Sequence, residues 1–251
     1  MGERLPLITI MGPTGVGKTD LAISLSQLFS SEIISVDSVQ VYKGMDIGSG
    51  KPSKDILDRY PHKLVSFIDP WKSYSTALFI FDATREIKLC DQSGKVPLLV
   101  GGTMLYFRSL FSGISSMPEA NQDVRNEISN EAKKYGWGFL HKDLTKVDPE
   151  SAMRIHPNDS QRIQRALEVY RVSSKTMTEW RKRDKGSDLV KRKRVIQFAV
   201  EPKSRESLRE DVKTRFLLML ERGLVKEVEK LLDIKQMDLT KSSMKSVGYR
   251  Q

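Results

Sequence analysis

The sequence has little of what covalent cross-links, structural zinc sites and membrane insertion require. Cys90 is the single cysteine among 251 residues, which excludes an intrachain disulfide and a cysteine-rich zinc site. The three histidines, His62, His141 and His156, lack metal-ligand spacing. No apolar run reaches about 18 residues, so we expect no transmembrane helix. The N-terminal residues lead directly into the first apolar run without a signal peptide, and we therefore expect a cytoplasmic protein.

Acidic residues are scarce in one segment of an otherwise balanced chain. The whole sequence carries 42 Lys and Arg against 32 Asp and Glu, for a net charge of +10. Residues 1–118 are nearly neutral, with 12 basic and 11 acidic side chains, whereas residues 171–194 hold 10 basic and 3 acidic ones. Such a local excess suggests a polyanionic partner. From charge alone, a solvated basic surface is equally open.

The clearest motif is a glycine-rich segment that follows the apolar run 7–11. Its glycines let successive backbone N–H groups face one anion, and a following helix adds partial positive charge at the same place. Its lysine supplies a full charge, and the adjacent threonine hydroxyl could ligate Mg²⁺. The segment therefore predicts a P-loop that binds a di- or triphosphate. It consists of Gly12, Pro13, Thr14, Gly15, Val16, Gly17, Lys18 and Thr19.

Short apolar runs alternate with helical patterns, which is typical of an α/β fold with a mostly parallel sheet. The simplest architecture is a P-loop NTPase-like core formed by 1–118 and 195–251, with 119–194 as an inserted, basic helical subdomain. The predicted strands are 7–11, 33–36, 64–67, 96–100 and 195–200, and the main predicted helices are 19–29, 77–89, 123–135, 160–172, 205–221 and 224–232.

Three polar residues outside the P-loop are candidates for the chemistry, because ligands bind at the carboxyl ends of strands in open α/β sheets. Asp37 follows the second predicted strand and could be a general base, a metal ligand or a turn residue. Thr103 follows the fourth strand and two glycines, and it could donate to a phosphate or a base. Arg215, on a late helix, could clamp a phosphate or form an ordinary salt bridge.

The loop around Asp46 is rich in glycine and lysine. It could close over a ligand bound at the nearby phosphate site. An exposed linker is equally open from the sequence.

A carboxylate is missing where many nucleotide hydrolases need one. A Walker B strand ends in an acidic residue that holds Mg²⁺, but the fourth strand reads Leu98-Leu99-Val100-Gly101. The chain is therefore a poor match to a motor ATPase or a switch GTPase.

Five segments together resemble the tRNA dimethylallyltransferases, or tRNA isopentenyltransferases, of the bacterial type. They follow the family's order and extend over nearly the whole chain, so they are far more specific than a P-loop alone. The segments are 12–19 (GPTGVGKT), 35–48 (SVDSVQVYKGMDIG), 100–106 (VGGTMLY), 156–170 (HPNDSQRIQRALEVY) and 246–251 (SVGYRQ).

The resemblance implies transfer of a dimethylallyl group from its diphosphate to N6 of the adenosine beside the tRNA anticodon, with release of pyrophosphate. It implies that the P-loop, with Lys18, Thr19 and Mg²⁺, holds the diphosphate. Asp37 matches the family's general base, and Thr103 and Arg215 match positions around the diphosphate. The positions that match tRNA contacts are Asp37, Ser38, Val39, Gln40, Gln161, Arg162, Ile163, Gln164 and Arg165.

Other functions remain open alongside this one. An adenylate isopentenyltransferase would use the same chemistry on free AMP, ADP or ATP, but a free nucleotide does not need a long basic insertion. A small-molecule kinase would need a lid with arginines, which the sequence does not identify. A non-catalytic RNA-binding protein would not need an intact Lys18, Thr19 and Asp37. We expect a monomer by default.

Overall fold

The computed structural model describes residues 5–113, 117–182 and 187–251. The chain divides into two compact units, one formed by residues 1–111 with 188–251 and the other by residues 112–187. The sequence-based boundaries at 118/119 and 194/195 lie a few residues later in the chain. Residues 188–194 consequently fall in the first unit here.

The first unit is built on a parallel sheet, which confirms the predicted α/β class with a P-loop NTPase-like core. The strands of the described residues are β1 (Leu7–Met11), β2 (Ser31–Val36), β3 (His62–Lys63), β4 (Val96–Gly101) and β5 (Val195–Ala199). Their order is β3-β2-β4-β1-β5, and every neighbouring pair is parallel. The carboxyl ends of β1, β2 and β4 therefore meet at one edge, where α/β proteins bind ligands.

Helices cover both faces of this sheet, because strands of a parallel sheet are buried on both sides. Ile10 and Leu98 pack with Ala22 on one face, whereas Leu99 and Ile34 pack with Phe79 on the other.

No helix in the described part of the chain has both the length and the apolar composition needed to cross a membrane. In chain order, the helices are α1 (Lys18–Leu28), α2 (Lys54–Arg59), α3 (Thr76–Gln92), α4 (Met104–Ser112), α5 (Gln122–Tyr135), α6 (Trp137–Val147), α7 (Pro149–Arg154), α8 (Ser160–Ser173), α9 (Met177–Lys182), α10 (Asp188–Arg192), α11 (Arg205–Glu221) and α12 (Leu224–Leu232), followed by a 3₁₀ helix at Ser243–Lys245.

The second unit contains α5 to α9 and has a core of its own. Ile128, Leu140 and Leu144 are fully buried in it. Helix α8 begins after Asp159, whose side chain accepts a hydrogen bond from the N–H of Arg162. An aspartate in this position satisfies a backbone donor that the first turn leaves unpaired, which explains the predicted start of the helix.

The third predicted strand, at 64–67, is wrong. Leu64 and Ser66 have positive φ angles of 61° and 52°, which an extended strand cannot contain. The strand that pairs with β2 lies just before them, where His62 is opposite Ile33. The N–H of Ser66 instead donates to the carbonyl of Gln40 at 2.9 Å, so this loop supports the turn that follows β2.

Candidate active site

The P-loop joins β1 to α1 at the carboxyl edge of the sheet. Gly17 precedes α1 with a φ of 81°, a left-handed conformation that glycine adopts without a steric penalty. The first N–H groups of a helix lack partners within it and carry partial positive charge. Nζ of Lys18 donates to the carbonyl of Pro13 at 2.5 Å, so the lysine folds back over the loop. This turn has the geometry of an anion site.

Asp37 follows β2 directly and is held in a fixed turn. Its Oδ1 accepts hydrogen bonds from the N–H of Val39 at 2.8 Å and from the N–H of Gln40 at 3.1 Å. Both bonds use the same oxygen, which leaves Oδ2 as the oxygen that can face a substrate. A carboxylate oriented in this way can accept a proton from a bound group.

Thr103 joins the end of β4 to the Asp37 turn. Its Oγ1 accepts a hydrogen bond from the N–H of Ser38 at 3.1 Å, and its own N–H donates to the carbonyl of Val36 at 3.3 Å. The two segments can approach this closely because residue 101 is glycine. A Cβ there would lie only 2.0 Å from that carbonyl oxygen. The Thr103 hydroxyl is thus bonded to the backbone beside Asp37.

Arg215 reaches the site from α11. Its Nη2 donates to the carbonyl of Gly50 at 3.2 Å. Gly50 has a φ of 59°, and a Cβ there would lie 1.7 Å from Nη2, so glycine leaves the room that the guanidinium occupies. Nε2 of Gln40 donates to the same carbonyl at 3.4 Å. The Gly50 carbonyl therefore links Arg215 to the turn that contains Asp37.

These elements surround a polar cavity of about 340 Å³. Burial lowers the pKa of the Lys18 ammonium, the nearby Asp37 carboxylate raises it, and the Arg215 guanidinium lowers it. Opposing effects of this kind require the three charged groups to lie within electrostatic reach of one another. The residues that line the cavity include Thr14, Lys18, Thr19, Asp37, Gln40 and Arg215.

A second cavity, of about 590 Å³, shares four lining residues with the first: Thr14, Asp37, Ser49 and Arg215. A cavity of this size with apolar walls can hold an aromatic ring or a short aliphatic chain. Asp37 and Arg215 stand where the polar and apolar spaces join. The apolar and aromatic residues of the second cavity include Val39, Tyr42, Tyr74, Val212, Phe216 and Met219.

The loop at residues 46–50 is anchored by two side chains that sequence reasoning did not single out. The N–H groups of residues 46–48 donate to the carboxylate of Glu227 on α12, at 2.8–3.1 Å. The N–H of Ser49 donates to the hydroxyl of Tyr249 at 3.2 Å. Tyr249 lies in the last of the five matching segments, but Glu227 has no local signal because it is 181 residues from Asp46 along the chain.

The residues predicted to contact tRNA fall in both units. Ser38 and Val39 line the apolar cavity beside Asp37, and Gln40 lines the polar one. In the second unit, Gln161 and Arg162 are exposed at the start of α8. These five side chains are therefore open to a ligand or to solvent.

The remaining predicted contacts in α8 have side chains engaged inside the second unit. Ile163 is fully buried, and Nε2 of Gln164 donates to Oγ of Ser129 at 2.9 Å. Arg165 forms a 2.8 Å ion pair with the buried Glu168. The assignment of these positions as tRNA contacts stays a prediction, and the structure adds that the side chain of Ile163 is enclosed whereas Gln164 and Arg165 are partly exposed. The two partly exposed side chains also hold the unit together.

The basic segment 171–194 is partly neutralised within the protein. Lys182 pairs with Glu150, and Arg171 makes a bidentate pair with Glu131, each at 2.8 Å. Lys193 pairs with Asp91, and its side chain is only 6% exposed. Residues 183–186 lie outside the described residues. The net charge of the segment therefore overstates the cationic surface that it offers.

Two family models match the chain. Residues 40–251 match the family described as IPP transferase. Residues 5–61, which include the P-loop and Asp37, match the family described as isopentenyl transferase.

Solved structures of three relatives are similar to this chain. The tRNA isopentenylpyrophosphate transferase of Bacillus halodurans is 33% identical with a TM-score of 0.64, over 99% of this chain and 76% of that one. The tRNA delta(2)-isopentenylpyrophosphate transferase of Staphylococcus epidermidis is 34% identical with a TM-score of 0.62, over 97% and 78%. A eukaryotic dimethylallyltransferase acting on tRNA is 30% identical with a TM-score of 0.75, over 91% and 56%.

Proposed function

The chain belongs to the IPP transferase family, that of the tRNA dimethylallyltransferases, and we propose that it transfers a dimethylallyl group from dimethylallyl diphosphate to tRNA. The acceptor is N6 of the adenosine adjacent to the anticodon, and pyrophosphate is released. One observation carries this proposal. Asp37 stands where a polar cavity with room for a diphosphate joins an apolar one, with Lys18 and Arg215 within electrostatic reach.

The reaction forms a bond between N6 of adenine and C1 of the dimethylallyl group, while the bond from C1 to the diphosphate oxygen breaks. The amine is a weak nucleophile because its lone pair is delocalised into the ring. A base that takes its proton during attack therefore assists the reaction. Asp37 is the proposed base, since Val39 and Gln40 occupy Oδ1 and leave Oδ2 for the N6 proton.

The polar cavity is the proposed site of the diphosphate. Negative charge grows on the leaving oxygen as the bond to carbon breaks, and fixed positive groups stabilise that charge. The P-loop residues that line the cavity, 14–15 and 17–19, can offer backbone N–H groups, and Lys18 and Arg215 offer full charges. Partial burial of the Lys18 ammonium, which lowers its pKa, also makes its charge more effective at short range.

The donor set of this cavity suits a magnesium ion bound mainly through its substrate. Thr19 lies in the first turn of α1 and lines the cavity beside Lys18. The described residues contain no cluster of three or more His, Cys, Asp or Glu side chains that could form an all-protein metal site. Mg²⁺ requires few protein ligands when phosphate oxygens and waters complete its shell. When bound, it would neutralise diphosphate charge and make pyrophosphate a better leaving group.

The apolar cavity is the proposed site of the dimethylallyl group and of the adenine ring. Phe216 is exposed and offers an aromatic surface against which a ring or an alkene can pack, and the buried Tyr42 and Tyr74 also line the cavity. An adenine can enter only after it leaves its stack in the anticodon loop, as in other enzymes that act on a base. Ser38 and Val39, which line this cavity, are proposed to contact the nucleotide that enters.

Transfer RNA is the proposed acceptor because the protein offers cationic groups beyond the cavities. The chain has a net charge of +10, and at the start of α8 the guanidinium of Arg162, which pairs with Asp159, and the neutral amide of Gln161 are both exposed. Such groups bind phosphates and unstacked bases. A monomeric state and a cytoplasmic location remain predictions from the sequence.

The test is to incubate the protein with Mg²⁺, radiolabelled dimethylallyl diphosphate and either unmodified tRNA or AMP. We expect label in tRNA, and none when the adenosine beside the anticodon is replaced by guanosine. Label in AMP alone would contradict the proposal and indicate an adenylate isopentenyltransferase. Label in neither acceptor, under conditions in which a bacterial relative modifies the same tRNA, would also overturn it.

A further inference from the structure

The loop at residues 46–50 presents a row of backbone donors to one anionic side chain. The N–H groups of Asp46 and Ile47 donate to Oε2 of Glu227 at 2.9 and 2.8 Å, and the N–H of Gly48 donates to Oε1 at 3.1 Å. Three consecutive amides converging on one anion form a nest, a geometry that binds anions well. Here the protein fills the nest with its own carboxylate, so the loop is locked by charge-assisted hydrogen bonds.

Tyr249 completes this lock. Its hydroxyl donates to Oε1 of Glu227 at 2.6 Å and accepts a hydrogen bond from the N–H of Ser49 at 3.2 Å. The ring is buried, with 4% exposure. Burial and the neighbouring carboxylate raise the pKa of the hydroxyl, which therefore remains a donor to Glu227 throughout the working pH range. Four successive amides of the loop are thus satisfied by two side chains.

The locked loop ends at the carbonyl that holds Arg215. The N–H of Gly50 donates to the carbonyl of Ile47 at 2.9 Å, which closes the turn and sets the direction of the Gly50 carbonyl. That carbonyl accepts from Nη2 of Arg215 at 3.2 Å and from Nε2 of Gln40 at 3.4 Å. The hydrogen bonds made by Glu227 therefore fix the acceptor that orients the guanidinium in the cavity.

We propose that Glu227 and Tyr249 are positioning residues that hold the 46–50 loop so that the Gly50 carbonyl aims Arg215 at the diphosphate. The inference rests on the proposed function only in assigning a diphosphate to the polar cavity. It assigns to α12 and to the 246–251 segment a role in the active site, although neither residue lines the polar cavity described above.

The decisive variant is Glu227→Gln, because it keeps the size of the side chain while replacing one acceptor oxygen with a donor that repels the loop amides. We expect it to weaken binding of inorganic pyrophosphate, measured by calorimetry with Mg²⁺, by about 10-fold, since small displacements of a clamp cost this much or more. Tyr249→Phe, which removes only the hydroxyl, is expected to weaken it by about 3-fold. The matched control is Glu229→Gln, an exposed carboxylate on the same helix, which should bind like the wild type.

A structural role and a positioning role are separated by combining Glu227→Gln with Arg215→Ala. If Glu227 acts through Arg215, the double variant binds pyrophosphate as the Arg215→Ala variant does, within about 2-fold. An equal loss in both backgrounds would overturn the inference, as would wild-type affinity in a Glu227→Gln protein that is folded by circular dichroism. If Glu227→Gln does not fold, the same cycle with Tyr249→Phe decides the question by the same criteria.

The pyrophosphate measurement also separates this inference from the proposed function. A wild-type protein that binds pyrophosphate but labels no tRNA would contradict the proposed function, while the double-variant cycle would still support or overturn the positioning role. A wild-type protein that binds no pyrophosphate would overturn both.

Discussion

The two sides of the candidate site are built in different ways. The phosphate side, where we propose that the diphosphate binds, is one contiguous segment, 12–19, whose loop and first turn of α1 line the polar cavity. The opposite side joins distant segments: Arg215 lies 165 residues from Gly50, and Tyr249 lies 200 residues from Ser49. The geometry of the first side follows from local residue types, whereas that of the second depends on tertiary packing. Substitutions on the two sides should therefore change binding, stability and the rate of transfer in different ways.

Asp37 lines both the polar and the apolar cavity, and its substitution should have the largest effect on the rate of transfer. Asp37→Asn keeps an oxygen that can accept from the N–H groups of Val39 and Gln40, so the turn is preserved, but the amide cannot take a proton. We expect the rate of dimethylallyl transfer to fall by about 1,000-fold while tRNA affinity remains nearly unchanged. Single-turnover transfer assays and filter binding measure the two quantities.

Asp55→Asn is the matched control for this variant, since Asp55 is exposed in the first turn of α2. It should transfer the group at the wild-type rate. Near-normal turnover by Asp37→Asn would contradict the assignment of Asp37 as the base, and an equal loss of tRNA binding would indicate a disrupted turn instead.

On the phosphate side, removing the charge of Lys18 should weaken pyrophosphate binding without lowering the stability of the fold. Burial lowers the pKa of Lys18, so the folded state disfavours its charged form. A lysine of this kind lowers stability at neutral pH, and stability recovers as the pH rises through the folded pKa toward the unfolded value. We expect Lys18→Met to weaken pyrophosphate binding by about 50-fold and to leave the thermal unfolding temperature equal to or above that of the wild type.

The pH dependence sharpens this expectation. Below the lowered pKa of Lys18, the wild type should unfold at a lower temperature than Lys18→Met, and the difference should shrink as the pH rises through that pKa. Lys88→Met, at an exposed site on α3, should show neither the loss of affinity nor the pH effect. An unfolding temperature of Lys18→Met that is lower than the wild type at every pH would contradict this account.

On the distant side, a single methyl group should displace Arg215. A Cβ at Gly50 would lie 1.7 Å from Nη2, and residue 50 has a φ of 59°, so Gly50→Ala combines a clash with backbone strain. Gly94→Ala is the matched control, because Gly94 has a φ of 65° and no atom within 4 Å of an added Cβ. Both variants should lose about 1 kcal/mol of stability to strain, measured by chemical denaturation.

Only Gly50→Ala should also affect catalysis. We expect the rate of dimethylallyl transfer to fall by about 20-fold in Gly50→Ala and to remain at the wild-type level in Gly94→Ala. Equal rates in the two variants would mean that transfer does not depend on the position that the Arg215 guanidinium takes beside residue 50.

The same division explains what could be read from the sequence. The α/β class, the P-loop between β1 and α1 and the family were predicted and are confirmed, because each is encoded in contiguous residues with a fixed spacing. The strand at 64–67 was wrong because a short apolar run does not reveal the positive φ angles of Leu64 and Ser66. In α8, the sequence does not distinguish Arg162 from Arg165. The fold leaves Arg162 73% exposed beside Asp159 and pairs the less exposed Arg165 with the buried Glu168.

Glu227 could not have been found from the sequence, since its role depends on amides 181 residues away. The roles of Asp37, Thr103 and Arg215 stay predictions. The structure adds the partners that each of these side chains contacts.

Thr103 follows β4 and bonds to the turn after β2, 65 residues away. Its substitution should have the smallest effect on the rate of transfer. Its hydroxyl accepts from the N–H of Ser38 at 3.1 Å, beside Asp37, so it can act on the base without contacting the diphosphate. We expect Thr103→Val to lower the rate of transfer by about 5-fold, the cost of one hydrogen bond, with unchanged pyrophosphate affinity. Thr103→Ser, which keeps the hydroxyl, should recover most of that rate. If Thr103→Val instead weakens pyrophosphate binding and leaves the rate at saturation intact, the hydroxyl contacts the diphosphate, as the family resemblance implies.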